Sequence, residues 1–92
     1  MSDRVVALPS AIDARTIAGV KAQMEKAAAQ ASRVLVDASQ VEHLGTAGAQ
    51  LVLALAKRQG DAFALKSPSA PFVQAFEDLG LFPVLMSWTI EE

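Results

Sequence analysis

Three large aliphatic residues in a row, Val34, Leu35 and Val36, constrain the fold of this chain more than any other feature. The run ends at Asp37, and no polar residue alternates within it. Such a pattern is typical of a strand that is buried on both faces of a sheet. It therefore predicts a central strand over residues 33–37.

Strand patterns and helix patterns alternate along the rest of the chain. The predicted strands cover residues 4–8, 33–37, 63–65 and 84–90, and the predicted helices cover residues 14–32, 45–59 and 72–80. The last strand is expected at an edge, because its apolar residues alternate with polar ones. Strands that alternate with helices predict an α/β domain with a largely parallel sheet.

The composition excludes several classes of protein. The chain has 92 residues, which predicts a single domain over residues 1–92 with little room for an internal catalytic cavity. Its longest apolar runs, residues 51–56 and 81–86, fall far short of the ~20 residues that a membrane span needs. It has no cysteine, which excludes disulfides and thiolate catalysis. The net charge is −2 and acidic and basic residues are interspersed, so the chain lacks the basic face of a nucleic-acid binder. We expect a cytoplasmic protein.

Few residues are candidates for catalysis or metal binding. His43 would need a nucleophile and an orienting carboxylate, and Thr46, Asp37 and Glu42 are near it in the sequence. No nucleophile motif such as Gly-x-Ser-x-Gly accompanies them, so we expect His43 to be a surface loop residue of a protein that is not an enzyme. Asp13 and Asp37 would form a metal or phosphate-transfer site if both lay at one edge of the sheet. The pattern favours a helix cap for Asp13 and a strand end for Asp37.

The segment Gly45-Thr46-Ala47-Gly48 is the most informative motif for function. It opens the second predicted helix, where free N–H groups and the positive end of the helix dipole collect. A hydroxyl at this place can cap the helix, help to hold an anion, or accept a phosphoryl group. The spacing is not that of a phosphate-binding P-loop. Chemistry alone favours a capping role for Thr46.

Residues 34–58 combine an aliphatic strand that ends in Asp37, a loop, and a Gly-Thr-Ala-Gly motif that opens an apolar helix. This block resembles the centre of STAS domains, the sulfate-transporter and anti-sigma-factor-antagonist domains. Residues 11–16 resemble the family's Leu-Asp-x-x-Thr-Ala segment, and residues 69–81 resemble its third helix. The resemblance extends from Val5 over nearly the whole chain. It implies a mixed sheet of about four strands, with three helices largely on one face.

Carried over residue by residue, the resemblance makes Thr46 the candidate phosphoacceptor. Gly48 matches one of the small residues that follow the acceptor, and Asp13 and Asp37 match acidic positions that lie near it in the family. Gly45 departs from the family pattern, which has an acidic residue directly before the acceptor.

The resemblance implies a bacterial regulatory module that binds another protein and needs no cofactor or metal. The expected interaction surface consists of Asp13, Asp37, His43, Gly45, Thr46, Gly48 and Gln50. The expected partner is an anti-sigma-type kinase or a chemotaxis component. An alternative is the ATPase of an ABC-type lipid transporter, because related short STAS proteins are subunits of such complexes. A small-ligand or nucleotide binder that uses the same helix N-terminus is the rival from another class, although a short chain offers little pocket.

Overall fold

The computed structural model describes residues 3–30 and 32–91 as an α/β fold of six strands and four helices. In chain order the elements are β1 (Asp3–Ala7), β2 (Ala11–Ile12), α1 (Ile17–Gln30), β3 (Arg33–Asp37), β4 (His43–Leu44), α2 (Thr46–Gln59), β5 (Phe63–Lys66), α3 (Ala70–Asp78), α4 (Phe82–Met86) and β6 (Thr89–Glu91). A short 3-10 turn, Gly60–Ala62, connects α2 to β5.

The main sheet has four strands in the order β1-β3-β5-β6. The predicted central strand is confirmed, since Val36 of β3 lies opposite Val6 on one side and Leu65 on the other. The resemblance implied a mixed sheet, but each of these pairings is parallel. The physical reason is that at least one helix lies in the chain between each pair of adjacent strands of this sheet, and the helix returns the chain to the end of the sheet at which the previous strand began.

The helices cover one face of the sheet, as the resemblance implied. The core on that face takes from the sheet Val6, Val34, Val36, Phe63 and Leu65. Side chains alternate between the two faces along a strand, so Leu35 and Ala64 lie on the opposite face of the sheet. Both are buried, but they are not part of the core under the helices. Arg33 also lies on the opposite face and forms an ion pair with Glu91 of β6. Because β5 separates β3 from β6, this ion pair spans β5.

Helix α2 is less completely covered than its apolar sequence predicts. Its buried residues are Gly48, Ala49, Val52, Leu55 and Ala56. Leu53 is only half-buried, and Ala54 is exposed. The reason is that α2 borders an open groove at these positions, which Leu53 and Ala54 line together with Val84 of α4.

The predicted strand over residues 84–90 is wrong in its first half, which forms helix α4. Gly80 has a positive φ of 73° and lets the chain turn at the end of α3, where Leu81 N–H donates to Phe76 O at 2.8 Å. Pro83 then occupies the first turn of α4, where its missing N–H has no cost. Leu85 is the buried residue of this helix.

A second, two-stranded sheet was not predicted. Strand β2 pairs in parallel with β4, with Ala11 opposite His43 and Ile12 opposite Leu44. His43 therefore lies in a short strand and not in the loop that we expected. This small sheet leads directly into α2 and positions the residues of the candidate site.

Candidate interaction site

Helix α2 begins without a side-chain cap. Gly45 is the N-cap residue, with φ −80° and ψ 173°, and it has no side chain that could accept a hydrogen bond. Its backbone is held on both sides, because Gly45 N–H donates to Ile12 O at 3.4 Å and Ala49 N–H donates to Gly45 O at 3.0 Å. The first backbone amides of α2 therefore have no capping side chain as a hydrogen-bond acceptor.

Thr46 is the first residue of α2, and its side chain is exposed. The capping role that chemistry alone favoured is wrong. A capping side chain belongs to the extended residue before the helix, and that position is occupied by Gly45. Among the described residues, the Thr46 hydroxyl has no hydrogen-bond partner. The hydroxyl is thus accessible at the positive end of the helix.

Asp13 lies beside this helix start because β2 pairs with β4. It directly follows Ile12, whose carbonyl accepts the Gly45 N–H. We expected Asp13 to cap α1, and it caps the turn that leads into this helix, whose regular part begins at Ile17. Its Oδ1 accepts from Arg15 N at 2.9 Å, its backbone N–H donates to Thr16 Oγ1 at 3.0 Å, and its carbonyl accepts from Ile17 N at 2.9 Å. The structure therefore brings Asp13 and Gly45 together.

Asp37 lies elsewhere, at the carboxyl end of β3 and opposite Lys66. Its Oδ1 accepts from the backbone N–H of Ser39 at 2.9 Å. Hydrogen bonds from Ser39 lower the pKa of Asp37, and the charge of Lys66 lowers this pKa further by a smaller amount. Asp37 is not among the described residues that line the groove beside Thr46.

An open groove of about 400 Å³ extends from the start of α2 to α3. One wall contains His43, Gly45 and Thr46, and the other contains residues that we did not predict: Pro71, Gln74, Ala75, Asp78 and Leu79. Glu42 and Asp78 line the groove, and no lysine or arginine of residues 3–30 and 32–91 does so. The sequence carries one signal for the second wall, since Gln74 and Asp78 are one helical turn apart on the side of α3 away from its buried residues.

Ser69 sets the position of the second wall. It is the N-cap of α3, and its hydroxyl oxygen accepts from Phe72 N at 3.2 Å. The same hydroxyl donates to Val41 O, in the segment between β3 and β4. A single side chain therefore ties the start of α3 to the chain that leads into His43 and Gly45.

Gly48 and Gln50 have different environments. Gln50 is exposed on α2, as expected for a residue of an interaction surface. Gly48 is buried, and a Cβ on it would lie 2.7 Å from Leu44 Cδ1. Its role is therefore close packing of α2 on the small sheet and not contact with a partner.

No group of three or more His, Cys, Asp or Glu side chains within residues 3–30 and 32–91 could hold a metal ion. In the same part of the chain, no helix has the length and apolar content required to cross a membrane.

Comparisons with known proteins support one family. The sequence model of the family described as Mlab, STAS domain, matches residues 2–85, which include both walls of the groove. A comparison with curated proteins found no match.

Proposed function

The chain belongs to the STAS domain family, and on that premise we propose that it is a non-enzymatic regulatory module that docks a partner protein at the start of α2. Its partner is an anti-sigma-type kinase or a chemotaxis component, and its docking site is the groove between Thr46 and α3. The observation that carries this proposal is the exposed, unbonded hydroxyl of Thr46 at the edge of that groove. The groove is open to solvent along its length, which suits a protein surface better than an enclosed small ligand.

The proposed switch is phosphorylation of Thr46. A partner kinase transfers the γ-phosphoryl group of ATP to Thr46 Oγ1, the hydroxyl proton leaves to a base on the kinase, and ADP is released. The product carries about −1.5 to −2 charges. The helix dipole and the uncapped amides of α2 stabilise this charge, whereas the carboxylates of Glu42 and Asp78 in the same groove are repelled by it. The fold is thus retained while the charge of the docking surface changes.

An acidic residue lies near the start of α2 although Gly45 itself is not acidic. Asp13 is exposed and follows Ile12, which bonds to Gly45 through its carbonyl. The pairing of β2 with β4 therefore brings the backbone of Asp13, an acidic residue of the turn before α1, next to the start of α2. This placement supports Thr46 as a phosphoacceptor in a chain that lacks the family's acid.

The test measures binding and stability on the same variants. A photoreactive amino acid at Gln74, in the far wall of the groove, captures the partner in native cells, and mass spectrometry identifies it. Affinity for that partner and melting temperature are then compared for Thr46→Ser, Thr46→Ala and Thr46→Glu. We expect Ser to match the wild type, and Glu to change the affinity by about tenfold or more at a nearly constant melting temperature. Unchanged affinity in all three variants would refute docking at Thr46.

A second candidate is an accessory subunit of the ATPase of an ABC-type lipid transporter. It is favoured by the match to the family described as Mlab, STAS domain. Under this candidate, the protein captured at Gln74 is a transporter ATPase, and Thr46→Glu changes the rate of ATP hydrolysis by the purified complex. Capture of a histidine-kinase-like or chemotaxis protein excludes the transporter role.

A further inference from the structure

Two apolar grooves lie on either side of an exposed ridge on α2 that begins at Gln50, one turn after Thr46, and continues to the end of the helix. The outer ridge consists of Gln50, Ala54, Lys57 and Arg58, all of them exposed. The groove between α1 and α2, of about 120 Å³, has Met24, Leu51 and Leu55 in its lining. The groove between α2 and α4, of about 380 Å³, has Leu53 and Val84 in its lining. Ala54 lines both, so the two grooves meet across one small side chain.

The charges around these grooves are mostly positive. Lys21 and Arg58 line the first groove and Lys57 lines the second, against one acidic residue, Glu25. Helix α2 itself has no acidic residue. Lys21 and Glu25 are one turn apart, but the ion pairs of the described residues do not include them or the two cations of α2. The apolar floor is therefore edged by cations that are free to bind carboxylates.

We propose that the outer ridge of α2 and its two grooves bind an amphipathic helix of a partner protein, with small apolar residues on the contacting face and Asp or Glu at its edges. The small side chain of Ala54 permits a second helix axis to approach to about 8–10 Å. Apolar side chains of that helix enter the grooves beside Leu51 and Val84, the latter 40% exposed. Carboxylates at its edges meet Lys21, Lys57 and Arg58.

An anionic membrane is a less suitable occupant of the same surface. Three cations attract such a membrane by about 1 kcal/mol each, and the net charge of the whole chain is −2. The surface is also shaped as a ridge between two grooves, which matches the ridges and grooves of a helix better than a plane.

This inference rests on the proposed function, because it describes a second contact of the same protein-binding module. The test uses the full chain and two synthetic helical peptides with the same alanine and leucine face, one with glutamate edges and one with lysine edges. Amide shifts in nuclear magnetic resonance spectra report the site of binding. We expect saturable shifts at Leu51, Ala54 and Arg58 with the glutamate peptide, and binding about tenfold weaker with the lysine peptide.

The controls separate a local charge effect from a general one. The double variant Lys57→Gln/Arg58→Gln is expected to bind the glutamate peptide about tenfold more weakly than the wild type. Lys26→Gln removes one positive charge from α1 at a residue that lines neither groove, and is expected to leave binding unchanged. Equal binding of both peptides, shifts confined to other surfaces, no saturation, or preferential binding to anionic phosphatidylglycerol vesicles would each overturn the proposal.

The outcome is distinguishable from that of the proposed function. Thr46 lies two helical turns before Ala54 and lines neither of the two grooves. Failure of the peptide experiment therefore leaves docking at Thr46 standing. If the Thr46 variants do not change the affinity for the partner, the result of the peptide experiment at the ridge is not affected.

Discussion

Gly48 of α2 lies so close to Ile12 of β2 that a Cβ added to the glycine would be 2.9 Å from Ile12 Cγ2. The start of α2 is thus held against the small sheet by the absence of a side chain. Because Ile12 also accepts the Gly45 N–H, the same contact positions the residue before Thr46.

Gly48→Ala is expected to destabilise the protein. The new methyl group would overlap Leu44 and Ile12, and overpacking of this kind costs about 1–3 kcal/mol, offset in part by ~1 kcal/mol from the better helix propensity of alanine. Gly19→Ala in α1 is the matched control. Its Cβ would meet no atom within 4 Å, so this variant is expected to stabilise the protein. Thermal or urea unfolding of both variants checks the opposite signs, and a stabilised Gly48→Ala would contradict the packing described.

Gly45→Ser is expected to stabilise α2 by roughly a few tenths of a kcal/mol. Gly45 has an extended conformation that any residue adopts, and a Cβ on it would have Ile12 O at 3.8 Å as its nearest neighbour. The new hydroxyl can accept from an uncapped amide of α2. Gly45→Ala has the same Cβ without an acceptor and is expected to lower the melting temperature. If serine and alanine gave the same melting temperature, the helix start would not be short of a cap.

Thr46→Ala is expected to change the free energy of unfolding by less than about 0.5 kcal/mol. The Thr46 side chain is exposed and lies within the helix, so its removal takes away no cap. Urea unfolding of the purified variant provides the measurement. A loss of about 1 kcal/mol, the usual effect of removing a cap, would instead assign a structural role to the hydroxyl.

Ser69→Ala is expected to cost about 1–2 kcal/mol. The hydroxyl both caps α3 and donates to Val41 O, so its loss leaves two partners without their hydrogen bond. Ser69→Thr retains the hydroxyl and serves as the control in thermal unfolding. Equal stability of the alanine variant and the wild type would show that α3 is positioned by other contacts.

Asp37 is expected to make stability fall in acid. Its pKa is lowered in the folded state, mainly by hydrogen bonds from Ser39. The stabilisation is therefore fully present above the ordinary pKa of 3.8 and is lost as the pH falls through the lower folded value. Urea unfolding between about pH 5 and pH 2 should show a steeper loss for the wild type than for Asp37→Asn, whose amide oxygen can still accept from Ser39 but does not titrate. Parallel pH profiles would contradict this contribution.

The sequence alone was sufficient where the signal is local. The run Val34-Leu35-Val36 predicted β3, and Gly80 predicted the end of α3, because strand burial and a left-handed helix end depend on the residues themselves. The site residues Thr46 and Gln50 were placed on the correct helix for the same reason, since the motif that opens α2 and its apolar spacing are continuous in the chain.

The tertiary structure decided what depends on distant partners. Strands β2 and β4 have two residues each, too few to show a period, and α2 packs on them through Gly48. That pairing brings Asp13 beside Gly45. It also holds Gly45 as the extended residue before α2, so the capping prediction for Thr46 is wrong. Residues 84–86 alternate like a strand, yet the turn at Gly80 and the burial of Leu85 make them a helix. The sequence by itself therefore determined the family and the central layer, whereas long-range packing, which no local pattern encodes, decided the geometry around Thr46.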